Sequence, residues 1–384
     1  MHTEPLRILV IGNLPPYVLG GAENQVARLV EGWLNAGAVV EVAGTRIPDG
    51  YIELGGHRVR THRLRGASLH GRMQRAVAFA TSLSRLAWKR RTCFDVIYCR
   101  GLADAAVTLS LLKCLGGWPR SAIVVCPINA KGNGDVAFLR SIPFWKVLIR
   151  CINRQVAAFC IINRFIPQEL DQIGITRPIR YMIPNGVVAR PDFSRRDLHQ
   201  EPILMVWSGR FERQKGLDLL IPLIAKVLAT SPGFELALYG DGSLRGELEL
   251  QVAAYDLKEK VNFMGTLSPN ELRERLMQSD IFILPSRYEG MSNAALEAME
   301  AGLPILCTRC GGVDCLIDPS SGWVAEPDDT ESLEHALRSA LATPRSALRA
   351  MGDRARAHVI ENLSMQQIAQ KNLLVLKQAS RRSA

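Results

Sequence analysis

The chain has 384 residues, 47% hydrophobic and 6% aromatic, and a formal net charge of +10. That length exceeds what a single core supports and suits two domains, while the ordinary glycine and proline counts, 31 and 20, exclude a collagen-like or low-complexity chain. No stretch approaches the roughly 18–20 uncharged apolar residues of a membrane span. Arg7-Ile-Leu-Val-Ile-Gly12 reads as a buried strand and turn rather than a signal-peptide core. The nine cysteines are scattered, several of them (Cys126, Cys151, Cys160) inside apolar runs. There a reduced thiol behaves as a small hydrophobe, so a cytoplasmic chain without a disulfide framework is expected.

In chain order, strands are predicted over residues 7–11, 39–43, 96–99, 123–127 and 159–162, with helices over 24–35 and 74–88. A polar, charged stretch over 189–202 then reads as a linker, and the pattern restarts. Strands follow over 203–208, 235–239, 261–264, 281–284 and 305–307, with helices over 217–230, 245–255, 269–278, 293–301 and 330–341. A last amphipathic helix covers 365–378. Alternation of this kind implies an α/β protein of two Rossmann-like, doubly wound parallel-sheet domains facing a cleft.

The charge is uneven. Residues 1–190 carry 25 Lys+Arg against 11 Asp+Glu, and the remainder carries 22 against 26. Between Leu54 and Phe94 lie ten arginines and lysines and no acid, and 136–168 is a second acid-free run. Such one-sided bias favours an anionic partner; nucleic acid, an anionic membrane surface and a phosphorylated acceptor all fit it.

Three elements carry candidate chemistry. Gly20-Gly21-Ala22-Glu23, after the first strand, lets backbone N–H groups approach an anion, but it is not a G-x-G-x-x-G fingerprint. Ser208-Gly209-Arg210-Phe211-Glu212-Arg213-Gln214-Lys215-Gly216 offers Arg210 to two phosphate oxygens and Lys215, opening the next helix, as a point charge. The most informative block runs from Ser286 to Pro304 and includes Glu289-Gly-Met-Ser-Asn-Ala-Ala-Leu-Glu297. A helix should open there at Ser292 or Asn293 and aim free N–H groups at an anion. Glu297, one to two turns in, would repel a phosphate, and as an acceptor-only carboxylate it suits a vicinal diol such as a ribose.

Glu289-x7-Glu297 within EGMSNAALEAMEAGLP resembles the signature of GT-B-fold retaining glycosyltransferases of family 4. GGAE, IPNGV (183–187), GRFERQKG and YGDGSLR (239–245) recur in those enzymes in the same order. The resemblance implies transfer of a sugar from a UDP- or GDP-sugar with retention of configuration and without a metal, in keeping with the lack of a D-x-D cluster in these motifs. It makes residues 1–188, with a crossing helix at 365–384, the acceptor-binding domain, and 189–364 the nucleotide-sugar-binding domain. It makes Arg210, Lys215 and Glu289 the catalytic residues. Glu297 would hold the ribose, Gly290, Met291, Ser292 and Asn293 the donor sugar and phosphate, and Gly20 and Gly21 the diphosphate from the opposite domain. Two departures stand out. Where relatives have a histidine near the donor sugar, 128–134 has none, leaving Asn129 or Lys131 for the polar role. Where relatives often have a glutamate, this chain has Cys315.

Cys307-x-x-Cys310 with Cys315 lacks the fourth ligand of a structural zinc site, so no metal is expected. Leu64–Arg75 reads as an acceptor loop. The helix after it presents Ala76, Phe79, Leu83 and Leu86 mostly to the core, and Phe144-Trp145-Lys146 suits a membrane interface. These observations lead to a hexosyltransferase acting on a saccharide acceptor that is anionic or lipid-linked, in cell-surface polysaccharide synthesis, peripheral on the inner face of the membrane. A UDP-sugar 2-epimerase of similar fold and a non-catalytic nucleotide-sugar-binding scaffold remain as alternatives; a nucleic-acid partner is not expected, since no binding motif interleaves the basic half.

Overall fold

The computed structural model describes residues 4–66, 70–116, 120–128, 134–191, 202–231 and 233–383. They fall into two compact units, Met1–Gly186 with Met365–Ala384, and Val187–Ser364. The boundary lies two residues before the one read from the sequence.

In the N-terminal unit the strands are β1 (Arg7–Ile11), β2 (Val39–Gly44), β3 (Gly50–Leu54), β4 (His57–Arg63), β5 (Val96–Arg100), β6 (Ala122–Cys126), β7 (Val156–Ile161) and β8 (Ile179–Met182). They form one sheet in the order β3-β4-β2-β1-β5-β6-β7-β8, parallel except for the β3–β4 hairpin. The apolar runs of β1, β5 and β6 are almost wholly buried, as expected of strands covered on both faces. The covering helices are α1 (Gly21–Asn35), α2 (Arg72–Lys89), α3 (Asp104–Gly116), α4 (Asp135–Arg140), α5 (Trp145–Gln155), α6 (Ile166–Gln172) and the C-terminal helix Met365–Ser383. The strand order reverses at β1, so the crossovers through α1 and α3 travel in opposite directions, and right-handedness sends them to opposite faces. One face carries α1 with the C-terminal helix. Trp33, fully buried, donates from Nε1 to the Ala369 carbonyl at 3.1 Å, and a Cβ on Gly32 would come within 2.5 Å of the Ala369 Cβ, so the two helices meet at a glycine. On the other face α2 packs on α3 and α3 on α5.

The hairpin was not predicted. Only Ile52, Val59 and Thr61 point inward, and arginines fill the outward positions of β4, so the apolar signal is thin. The sequence mark was Gly55-Gly56, both at positive φ (54° and 78°), the backbone a two-residue hairpin turn demands. The inward face of α2 is a correction: of Ala76, Phe79, Leu83 and Leu86 only Leu83 is buried, and residues 73–77 are exposed all round the helix. Part of the expected acceptor loop, 67–69, lies outside the described residues.

In the C-terminal unit the strands are β9 (Ile203–Arg210), β10 (Phe234–Asp241), β11 (Val261–Gly265), β12 (Ile281–Leu284), β13 (Ile305–Thr308) and β14 (Gly322–Ala325). They form a wholly parallel sheet in the order β11-β10-β9-β12-β13-β14. The helices are α7 (Leu217–Leu228), α8 (Arg245–Ala254), α9 (Pro269–Met277), α10 (Asn293–Glu300), α11 (Thr330–Ala342) and α12 (Arg345–Leu363). Trp207 and Phe211, both fully buried, stack at 5.4 Å, with Phe263 edge-on to Phe211 at 5.7 Å. Burial of a side chain of that size contributes about 1.5–3 kcal/mol. This cluster lies directly beneath the end of β9 and holds the loop that follows it.

Candidate active site

The strand order of the C-terminal unit reverses between β9 and β12. Ligands of doubly wound sheets bind beyond the carboxyl ends of the strands at such a reversal. The two loops leaving these strands are 211–216 and 285–292, and they contain five of the ten predicted catalytic and donor-binding residues, Lys215, Glu289, Gly290, Met291 and Ser292.

The loops are joined by backbone and side chain together. Arg287 N donates to the Gln214 carbonyl at 2.8 Å, and Gln214 Nε2 donates to the Tyr288 carbonyl at 2.8 Å. Gly216 stands between them at φ 71°, where a Cβ would lie 2.0 Å from the Pro285 carbonyl oxygen, so both its conformation and its surroundings require glycine. Arg287 grips the buried Asp218 with two bonds of 2.7 and 2.9 Å and reaches Asp328 at 2.7 Å, tying the second loop to α7. The hydrogen bonds it donates to Asp218 hold the guanidinium above its ordinary pKa.

On this frame Lys215 and Glu289 meet. Lys215 Nζ lies 2.6 Å from Glu289 Oε1, and Ser286 Oγ donates to the same oxygen at 2.8 Å. Glu289 is 5% exposed, and its main-chain N–H donates to the Cys310 carbonyl at 3.0 Å. Two residues assigned separate duties from the sequence, diphosphate and sugar, are therefore ion-paired in this structure. Lys215 also departs from its predicted position: it ends a 3-10 turn, Arg213–Lys215, and α7 opens two residues later at Leu217, behind Gly216.

Arg210 is the last residue of β9 and is exposed; among the described residues its side chain makes no hydrogen bond or ion pair. Ser292 is the N-cap of α10, its hydroxyl accepting from Ala295 N at 3.3 Å. Gly290, Met291 and Ser292 are buried, while Asn293 and Glu297 are half-buried, Glu297 one turn into the helix. A third loop supports the tip from behind: a Cβ on Gly312 would meet the Gly290 carbonyl oxygen at 2.7 Å and the Met291 Cα at 2.9 Å. Cys315, where relatives often have a glutamate, is exposed and donates through Sγ to the Gly312 carbonyl at 2.9 Å. Cys307 and Cys310 are buried, and burial pushes both thiols well up, away from the thiolate a metal would need. Among the described residues no group of three or more His, Cys, Asp and Glu is placed to hold a metal ion.

Gly20 and Gly21 lie in the N-terminal unit, Gly20 as the N-cap of α1 in extended backbone and Gly21 as the first helical residue. A Cβ at Gly20 would come within 2.3 Å of Glu23 Oε2, so the glutamate side chain folds back over this helix tip. Asn129 and Lys131 lie outside the described residues.

Sequence reasoning missed two sites. Glu300, 2% exposed, bonds to Arg273 at 2.9 Å and Arg356 at 2.7 Å, accepts from Arg190 N at 3.2 Å, and so fastens the far end of α10 to α9, α12 and the start of the unit. The second is Arg100, at the strand-order reversal of the N-terminal sheet, which donates to Cys126 Sγ at 2.9 Å and Asn185 Oδ1 at 3.4 Å. Beside it Asp135 accepts from Leu102 N at 3.0 Å and Ile128 N at 2.5 Å. Neither group has a local sequence signal: the first depends on helices α9, α10 and α12 packing together, the second on a strand end at the centre of a sheet.

Two family models cover most of the chain: "Glycosyl transferase 4-like domain" over residues 20–186 and "Glycosyl transferases group 1" over 190–358. The chain belongs to the group 1 glycosyltransferases. It is 32% identical over 170 residues to the glycogen synthase of Mycobacterium tuberculosis, a match covering 44% of this chain and 41% of that one. It thus spans less than half the length of that relative in alignment. It is 27% identical over 320 residues to the MMP alpha-(1->4)-mannosyltransferase of Mycolicibacterium hassiacum, covering 80% and 76%. Among solved structures, sucrose-phosphate synthase from Thermosynechococcus elongatus superposes with a TM-score of 0.80 at 20% identity, over 97% of this chain and 98% of that one. The fold is GT-B, as expected from the motifs.

Proposed function

We infer that this transferase moves a hexose from a UDP- or GDP-sugar to a hydroxyl of a saccharide acceptor, anionic or lipid-linked, with retention of configuration and without a metal. The observation that carries this reading is the convergence at one strand-order reversal of Arg210, the Lys215–Glu289 pair and the capped tip of α10. A departing nucleoside diphosphate gathers negative charge. Arg210 can meet it with a two-pronged grip, Lys215 with a compact charge and α10 with the N–H groups of its first turn. These donors supply the positive charge a divalent ion would otherwise bring, and stabilising charge that develops in the transition state is often the largest catalytic term.

Lys215 is fixed by Glu289, so it is preorganised rather than recruited from solvent. When the diphosphate arrives, the lysine is shared between phosphate and glutamate, and Glu289 keeps acceptor capacity for a sugar hydroxyl. Glu297, below the tip, suits the ribose diol. The leaving phosphate takes the proton of the incoming hydroxyl. The relatives named as glycogen synthase and mannosyltransferase support the class of reaction.

Calorimetric titration of purified protein with a panel of UDP- and GDP-sugars, in EDTA, should yield one donor that binds and is slowly hydrolysed. Arg210→Ala should lower turnover of that donor about 10²–10³-fold, the cost of losing one such charge-stabilising donor. Its melting temperature should not move, because the side chain is exposed. Near-normal turnover would remove Arg210 from the mechanism, and inertness towards every donor would favour a non-catalytic scaffold.

A further inference from the structure

We propose that the N-terminal unit docks on an anionic lipid surface through the outer faces of α2 and α5, a reading that deepens the lipid-linked acceptor assignment above and rests on it. Both helices run from the carboxyl edge of the sheet towards its amino edge, α2 ending shortly before β5 and α5 immediately before β7. Both belong to the layer bridged by α3. Their starts therefore stand at the same edge of the sheet.

That edge is apolar where a free domain surface should not be. Met73 is 68% exposed and Val77 55%, within five consecutive exposed residues, so the first turns of α2 project from the unit. Phe144, 83% exposed, caps the start of α5 in a left-handed conformation at φ 58°, and Val147 follows it outward. A bulky residue held at positive φ with its ring in solvent is uncommon and burdened with strain.

Cations bracket these side chains. On α5, Lys146, Arg150 and Arg154 are exposed at intervals of four, one stripe along the helix, while Leu148, Ile149 and Ile152 face inward. On α2, Arg75, Arg85 and Lys89 are exposed, as is Arg91 just beyond its end. Neither helix contains an acidic residue, and among the described residues none of these seven cations pairs with a carboxylate. Trp145 sits between Arg140 and Lys146, their charges 6.0 and 5.8 Å from its ring. A phosphate-rich polymer would engage the cations but has no use for exposed methionine and valine; single-stranded nucleic acid would call for aromatic platforms along the groove. A lipid surface uses both, with apolar side chains below the headgroups and cations among the phosphates.

The test is co-sedimentation of the full chain with phosphatidylcholine vesicles, with and without about a third of phosphatidylglycerol, over a salt series. Each basic residue near such a surface is worth roughly fivefold in partitioning. Wild-type protein should bind the anionic vesicles at least tenfold more tightly than the neutral ones. Lys146→Glu with Arg150→Glu should cut that binding about 20-fold or more, and Met73→Ser with Phe144→Ser severalfold at a salt concentration where wild type still binds. All four positions are exposed, and unchanged melting curves would establish that the variants fold. Equal binding to both vesicle types, or variants that bind like wild type, would overturn the proposal, as would tighter binding to a single-stranded RNA competitor than to vesicles. Donor titration of the same variants separates the two readings. Vesicle binding without any donor binding sinks the transferase assignment and leaves the lipid surface intact; donor binding without vesicle binding does the reverse.

Discussion

In the C-terminal unit Lys215 faces Glu289, Arg287 faces Asp218, and Arg273 and Arg356 share Glu300, all within 3 Å. On α2 and α5 of the N-terminal unit, arginines and lysines of the same chemistry face no carboxylate among the described residues. The difference separates two uses of positive charge. A cation held by a buried carboxylate fixes backbone: Glu300 anchors the end of α10, Asp218 the loop before α10, and between them the tip of α10 and Lys215 are held in register. A cation left in solvent fixes nothing within the fold and acts on whatever approaches. Side-chain replacement should therefore have opposite signatures in the two units.

The largest effect belongs to Glu300. Glu300→Gln keeps the shape but removes the buried carboxylate that Arg273, 7% exposed, and Arg356 share. Breaking a buried pair in this way costs about 3–5 kcal/mol, readable as a lower urea midpoint at neutral pH. The pH dependence gives a second readout. Burial pushes the Glu300 carboxyl up, but hydrogen bonds from Arg273 and Arg356 and from the Arg190 main chain outweigh it, so its pKa falls below the ordinary 4.5. A lowered carboxyl contributes stability that is fully present above its ordinary value and is lost as pH falls through the lowered one. The gap between wild type and Glu300→Gln should therefore narrow on acidification below about 4.5. A constant gap would mean that packing, not charge, holds this corner.

Arg287→Lys should come next. A lysine cannot reproduce the paired bonds to Asp218 together with the contact to Asp328. A loss of about 1–3 kcal/mol is expected, the cost of leaving a buried acceptor incompletely satisfied. Because Arg287 acts through the loop that carries Lys215, donor affinity should weaken as well. Unchanged donor affinity would separate this arginine from the site.

These pairs also mark how far the sequence could be read. The repeated strand–helix alternation, the Ser292 cap and the close approach of two motif loops follow from local signals: apolar runs, a cap residue, glycines at turns. The Ser268-Pro-Asn-Glu271 capping box that starts α9 is of the same kind. What stayed hidden is set by distant neighbours. The β3–β4 hairpin buries too few apolar residues to announce itself, and β14 is only four residues long. Lys215 and Glu289 were both named, but their mutual contact spans 74 positions and depends on Gly216 fitting under Pro285. Glu300 carries no local mark of its burial, because its three partners come from 110, 27 and 56 residues away. The apolar face of α2 was read as core since helical periodicity cannot tell what, if anything, covers a stripe.

The smallest effect is the most pointed, because its sign is the reverse of the others. Arg150 stands four residues from Lys146 and four from Arg154 on the exposed side of α5. Like charges at that spacing destabilise a helix by about 0.2–0.5 kcal/mol per pair, so Arg150→Gln removes two such repulsions and breaks no ion pair. The variant should be as stable as wild type or more stable by up to about 1 kcal/mol at low salt. The gain should fade as salt shortens the reach of the repulsion to within a turn of helix. Thermal melts at low and high salt would measure it. A loss of stability would mean that Arg150 has a structural partner after all, and that this helix uses its charge as the C-terminal unit does.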